Sequence, residues 1–205
     1  MSQLTLDHLA ISAENLQDGI EYVESALGVD LQAGGKHAHF ATHNALLGMD
    51  DGLYLEVIAI DPDAPAPKSP RWFDLDRFSG PVRPGNWICR TNDIAEFVAA
   101  HPEAGTPVKL SRGDLRWQMA VPDDGRLPYH NLFPAVIEWA GDVHPANTLA
   151  SSGCSLHRLI IAHPQAQDLK ATLEPLIDDS RLMFETGNQA LRIEMQTPSG
   201  LRVLE

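Results

Sequence analysis

Nine histidines stand out in this sequence, and two of them precede a glutamate at the same separation. His8 lies 48 positions before Glu56, and His157 lies 48 positions before Glu205. Neutral imidazole is the commonest metal ligand and a frequent acid–base group. Glu56 also interrupts the apolar run 53–60, where a carboxylate without a partner would be costly, so we favour a functional role for it.

The elements that must position these residues follow a repeated order. Residues 4–12 alternate like a strand, 16–27 have helical spacing after a capping Asn15, and strands are predicted at 29–32, 37–47 and 53–60. The same β-α-β-β-β order begins again near residues 86 and 155. We therefore predict one compact α+β unit of repeated βαβββ modules, with a first module at 1–62, a proline-rich linker at 63–85, a second module at 86–146 and a third at 153–205.

Bulk composition excludes several classes of protein. The chain has 205 residues, 43% of them hydrophobic, and a formal net charge of -13, which argues against a nucleic-acid partner. The amino-terminal stretch has no signal-peptide pattern, and no apolar run is long enough to span a membrane, so we expect a cytoplasmic protein without a membrane partner. Phosphate-binding loops, a nucleophile elbow and a CxxC pair are absent from the sequence.

One segment carries a family resemblance. Residues 34–62, GGKHAHFATHNALLGMDDGLYLEVIAIDP, closely resemble the GG-x-H…T-x-N-x-L…YLE-x-I-A run of a glyoxalase-like family in the vicinal-oxygen-chelate superfamily. RGDLRW at 112–117, the IEW strand ending at Trp139, and His144-Pro145 fit the same family. The resemblance implies a glyoxalase-type barrel, in which paired modules curl their sheets into a cup that holds a small-molecule ligand, and it implies a homodimer.

The resemblance also implies a divalent metal, either Zn, Fe, Mn or Ni, held by His and Glu from the first and fourth strands of each module. On that basis His8 and Glu56 are the first ligands, and His157 with Glu205 completes a set of two His and two Glu. If the second module pairs with the first instead, Glu138 takes the place of Glu205. Glu56 or Glu205 would then serve as the base, and we favour Glu56 as the catalytic residue.

Other residues are candidates for the ligand pocket. His37, His39 and His43 would share one face of a single strand, and we expect His37 in the pocket. Asn44 matches the family run, which favours a pocket or turn hydrogen bond. Trp117 and Trp139 could stack on a ligand or fill the core.

These residues leave three functions open. The first is a metal-dependent lyase, isomerase or dioxygenase acting on a small carbonyl or vicinal-diol compound. The second is a metal-free protein that binds or sequesters a small molecule. The third is a structural protein with a vestigial cup.

Overall fold

The computed structural model describes residues 3–141 and 143–205, and its largest element is a curled sheet of eight strands. The sheet has the order β2-β3-β4-β1-β5-β8-β7-β6. Its strands are β1 (Thr5–Ser12), β2 (Gln32–His37), β3 (Thr42–Gly48), β4 (Tyr54–Ile60), β5 (Arg83–Arg90), β6 (Thr106–Arg112), β7 (Leu115–Val121) and β8 (Ala135–Trp139).

The first two modules have identical pairing patterns and meet at the middle of this sheet. β1 pairs in parallel with β4, and β5 pairs in parallel with β8. The two halves are joined where β1 and β5 run antiparallel, with His8 opposite Ile88. Because the pairing is the same in both halves, each strand of the first module has a structural counterpart in the second.

Helices cover the convex side of the sheet. α1 (Leu16–Leu27) begins at Asn15, whose side chain accepts a hydrogen bond from the Gln17 N–H, and it ends at Gly28 in the left-handed conformation. α2 (Ile94–Ala100) is capped by Asp93, and one-turn segments follow at α3 (Pro128–Asn131) and α4 (Pro145–Thr148). Within the described part of the chain, no helix has the length and apolar character needed to cross a membrane.

The third module has the predicted element order but a different topology. β9 (Ser155–Ala162), α5 (Ala166–Leu173), β10 (Leu182–Glu185), β11 (Ala190–Thr197) and β12 (Gly200–Leu204) form a separate sheet with the order β10-β9-β11-β12. Here the first strand pairs with the second and third strands rather than with the fourth. β9 and β12 are therefore not neighbours, which changes the expected metal site.

The proline-rich segment between β4 and β5 packs against the body of the protein. It contains a 3-10 turn at Trp72–Asp74, and Trp72, Phe73 and Leu75 are buried. Phe73 and Asp74 adopt positive φ angles of 60° and 56°. These conformations are unfavourable for residues other than glycine, so the packing around the turn must hold them in place. We call residues 71–78 the lid segment.

Candidate functional site

The concave face of the first module is polar. His8 on β1, Asn44 on β3 and Glu56 on β4 all line one cavity, because these three strands are neighbours in the sheet and their inward positions alternate. All three side chains are buried. The Glu56 carboxylate accepts a hydrogen bond from the Asn44 amide at 2.5 Å, and His8 Nε2 lies 3.7 Å from Glu56 Oε2.

His8 is held in place by a buried aspartate. The pairing of β1 with β5 skips Asp7, and this bulge lets Asp7 reach the neighbouring imidazole, with 2.6 Å between Asp7 Oδ1 and His8 Nδ1. Asp7 Oδ2 accepts hydrogen bonds from Trp139 Nε1 at 3.1 Å and His144 Nε2 at 2.9 Å. Burial alone would raise the pKa of Asp7, but the hydrogen bonds from His144 and His8 outweigh it and hold that pKa well below its usual range.

This arrangement selects one tautomer of His8. Since the ionised Asp7 carboxylate can only accept, His8 Nδ1 carries a proton, and in the neutral imidazole Nε2 is then a free acceptor facing the cavity. The ring stacks on Tyr54, whose centroid lies 4.3 Å away, and burial raises the pKa of the Tyr54 phenol well above its usual value. His8 Nε2 and Glu56 therefore form a pair of proton acceptors at one point of the cup.

A cation lies beside these acceptors. The Arg112 guanidinium at the end of β6 donates through Nη1 to His37 Nε2 at 3.2 Å and to Asn44 Oδ1 at 3.1 Å. The Gly35 N–H donates to the same Asn44 oxygen at 2.7 Å, which fixes the orientation of the amide. Burial, together with the positive charge of Arg112, lowers the pKa of His37 to about 3. His37 is therefore neutral, with Nδ1 bonded to the Thr42 hydroxyl at 3.1 Å.

The second module supplies the apolar half of the cup. Leu115, Trp117, Met119, Ile137 and Trp139 line the cavity opposite the polar cluster. The Trp117 and Trp139 ring centroids are 5.6 Å apart.

The lid segment closes the cup. Trp72 packs edge-on against His37 at 5.0 Å and stacks on Phe40 at 4.5 Å. The remaining space is about 30 Å³, room for about one water molecule. Trp72 Nε1 is buried and has no hydrogen-bond partner among the described residues. A donor left in this state carries a desolvation penalty that a ligand oxygen would remove.

Six of the residues singled out from the sequence lie in this cup: His8, Glu56, His37, Asn44, Trp117 and Trp139. The structure separates the three histidines that were expected to share one strand. The chain turns between β2 and β3 at Ala41, which has a φ of 51°. His37 ends β2 and is buried, His39 is exposed in the turn, and His43 lies on β3.

The other expected metal ligands lie elsewhere. His157 is exposed on β9, and Glu205 is exposed beyond β12, which pairs with β11 rather than with β9. Glu138 accepts a hydrogen bond from the Ile94 N–H at 2.7 Å and thereby caps α2. The equal separation of His8–Glu56 and His157–Glu205 therefore does not reflect equal geometry, because the first module pairs its first strand with its fourth and the third module does not.

The sequence reasoning missed three residues of the site. Asp7 could not be predicted because the bulge that places it beside His8 is not visible in the alternation of polar and apolar residues. Arg112 belongs to the family-like RGDLRW stretch, which could have drawn attention to it. His144 was named only as part of the family-like His144-Pro145 pair, yet it holds Asp7 from the loop after β8.

The donor set does not fit the metal centre that the fold implies. His8 and Glu56 supply two ligands, and the strand positions that correspond to them in the second module are Ile88 and Ile137, which have no donor atoms. Arg112 adds a positive charge to the same cavity, which disfavours a bound cation. Within residues 3–141 and 143–205, no three His, Cys, Asp or Glu side chains are placed to share one ion. Structural and catalytic zinc sites use three or four protein ligands.

Two βαβββ modules joined edge to edge, with a cluster of polar side chains on the concave face, define a protein of the vicinal-oxygen-chelate fold. Residues 6–177 match the sequence profile of the family described as Glyoxalase-like domain, and the chain belongs to this family. Among curated protein sequences, none matches this chain significantly.

Several solved structures resemble this chain at low sequence identity. A hypothetical protein from Staphylococcus aureus superposes with a TM-score of 0.56 at 14% identity, covering 92% of this chain and 84% of that one. A methylmalonyl-CoA epimerase from Streptomyces coelicolor, in complex with 2-nitronate-propionyl-CoA, aligns with a TM-score of 0.45 at 14% identity, covering 69% of this chain and all of that one. A methylmalonyl-CoA epimerase from Mycobacterium tuberculosis aligns with a TM-score of 0.43 at 18% identity, covering 67% and 88%.

Proposed function

We propose that this protein is a metal-free isomerase or lyase that moves a proton on a small carbonyl compound bound in the cup. The observation that supports it is the grouping of two acceptors, Glu56 and His8 Nε2, with a cationic donor, Arg112, around one cavity. Acceptors and donors on one cavity can respectively take a proton and stabilise the negative charge that forms.

The proposed step is proton abstraction next to a carbonyl group. Glu56 removes the proton from the carbon, and the electron pair of the broken C–H bond moves into the carbonyl to give an enolate oxygen. Arg112 keeps N–H groups beyond the Nη1 that binds His37 and Asn44, and these can donate to that oxygen. Return of the proton to the opposite face of the same carbon gives epimerisation, and its return to the neighbouring carbon of an enediolate gives isomerisation. If the carbon next to the deprotonated one carries a leaving group, the bond to that group breaks instead and elimination results.

Asp7 and Asn44 act as positioning residues in this proposal. Asp7 orients His8 so that Nε2 faces Glu56, where the abstracted proton can be shared. The Asn44 amide donates a hydrogen bond to Glu56 Oε1 and leaves Oε2, the oxygen nearer to His8, without this bond. The lid segment must move to admit a substrate, because about 30 Å³ is too small for an organic compound.

The test is solvent exchange on a panel of small ketones and keto acids in D₂O, followed by proton NMR after treatment with a chelator. We expect loss of one carbon-bound proton signal from at least one compound. The E56Q variant should reduce the rate by 100-fold or more, whereas E185Q, which changes an exposed glutamate on β10, should leave it unchanged. Equal rates in wild type and E56Q would refute the role of Glu56.

A second candidate, a protein that binds or sequesters a small molecule, is favoured by the apolar half of the cup. Trp117 and Trp139 offer stacking surfaces, and such surfaces suffice for binding without chemistry. Compounds that quench tryptophan fluorescence on binding but show no exchange in D₂O would support this candidate over the first.

A further inference from the structure

A larger cavity lies outside the cup, between the eight-stranded sheet and β11 of the third module. We call it the interface cleft; its walls come from the carboxyl end of β1, the lid segment, residues 126–132 and residues 189–192. Its volume is about 300 Å³, in the range of small-molecule sites, and such sites often lie between structural units. Phe73 contributes to both cavities, but Arg112 and Glu56 line the cup alone.

The interface cleft is basic in an acidic protein. Four arginines line it, namely Arg77, Arg83, Arg126 and Arg192. The acidic residues on its walls are Asp74 and Glu205, so cations outnumber carboxylate side chains two to one. The chain as a whole has 15 Lys and Arg against 28 Asp and Glu. A concentration of arginine against this background creates a local positive potential.

Two of these arginines form no ion pair within the part of the chain that the structure describes. Arg77 and Arg126 both contact Asp74, but among the described residues neither Arg83 nor Arg192 forms an ion pair with a carboxylate. Arg83 donates to the carbonyl oxygens of Ser79 and Pro81 at 3.0 and 2.9 Å, and its guanidinium lies 4.2 Å from the centre of the Phe78 ring. These contacts fix the side chain while leaving its charge uncompensated.

A buried hydroxyl adds an independent sign of a ligand. Ser12 is one of the residues around the interface cleft; it is 1% exposed, and its buried Oγ has no hydrogen-bond partner among the described residues. It occupies this place because Gly85 opposite has no side chain; a Cβ there would lie 2.1 Å from the hydroxyl. An unpaired buried hydroxyl is destabilising unless a bound group completes its hydrogen bonding.

The backbone around the interface cleft is also held in unfavourable conformations. His130 and Asn131 have φ angles of 54° and 73°, and Phe73 on the opposite wall has 60°. The Asn131 amide donates to the Phe73 carbonyl at 3.0 Å and ties the two walls together. Strained residues of this kind concentrate at ligand sites.

We propose that the interface cleft is a binding site for a small anionic metabolite that carries a phosphate or carboxylate group, with Arg83 and Arg192 as its cationic contacts and Ser12 as a polar contact. Guanidinium groups bind both oxyanions through paired N–H donors. This site is separate from the cup, so the proposal does not rest on the proposed function.

The test is isothermal titration of the full chain with inorganic pyrophosphate and, separately, with citrate. We expect binding of at least one of them that weakens as salt is added, and the stronger of the two identifies the preferred oxyanion. R83Q and R192Q should each weaken it 10-fold or more. R202Q, which removes the same charge from exposed β12, should change it less than 2-fold.

Two further variants test the contribution of Ser12 and the separation of the interface cleft from the cup. S12A, which changes no charge, should weaken binding of the preferred anion several-fold, and circular dichroism checks that each variant is folded. R112Q should leave binding intact, because Arg112 lies in the cup. Absence of binding of both anions at millimolar concentration, an equal loss in R202Q, or abolition by R112Q would overturn the proposal.

Discussion

Acidification should destabilise this protein through His37. Its ordinary pKa is 6.5, and burial beside Arg112 lowers it to about 3 in the folded chain. Below about pH 6.5 the imidazole is protonated in the unfolded chain but stays neutral in the folded chain. The free energy of unfolding therefore decreases as the pH is lowered from about 6.5 to about 3. Between about pH 7 and pH 4 this linkage amounts to about 3 kcal/mol. The depressed pKa of Asp7 adds its own loss only below its ordinary value of 3.8.

The measurement is the free energy of unfolding from urea titrations at several pH values in that window. Replacing His37 with Gln removes the titrating group, so H37Q should lose about 3 kcal/mol less than wild type between about pH 7 and pH 4. H39Q is the matched control, because His39 is exposed two residues away, and it should follow the wild-type curve. If the unfolding free energy of H37Q fell with decreasing pH as much as that of wild type, His37 would not be held neutral beside Arg112.

Further predictions follow from the same contacts. D7N leaves His8 and His144 without their charged acceptor, so we expect a loss of about 3 kcal/mol in unfolding free energy together with most of the exchange activity; unchanged values for both would contradict the role given to Asp7. G105A should lower stability by at least about 2 kcal/mol, because its Cβ would lie 2.1 Å from the Val121 carbonyl carbon, whereas G113A, with nothing within 4 Å, should lose about 1 kcal/mol. Equal losses would argue against that close approach. The homodimer expected from the family resemblance is tested by light scattering, where a mass near 22.4 kDa would contradict it.

Local pattern predicted much of the architecture. Strands β1 and β4 and helix α1 lie close to the positions expected from periodicity and capping, because those signals are encoded in neighbouring residues. The topology of the third module was not accessible in this way. Its element order repeats that of the first module, but which strands become neighbours depends on long-range packing, and this decides where His157 and Glu205 lie.

The site residues that belong to a continuous sequence motif could be predicted, whereas those brought together by contacts between distant strands could not. Glu56 and Asn44 were recognisable from the family-like run, and His8 from its strand. The apolar counterparts of His8 and Glu56 in the second module, Ile88 and Ile137, could be recognised only after the register of β5 and β8 was known. Arg112 reaches His37 across 75 positions of sequence, a contact that no local pattern records.

The most direct test of the central claim is the metal dependence of proton exchange in the cup. The exchange rate is measured on wild type and E56Q after removal of metals with a chelator, and again with Zn, Fe, Mn or Ni added back. The account predicts that the chelated wild type exchanges at its full rate, that E56Q does not, and that no added metal changes either. Exchange that disappears with the chelator and returns with one metal would contradict the assignment of the chemistry to Glu56, His8 and Arg112 alone.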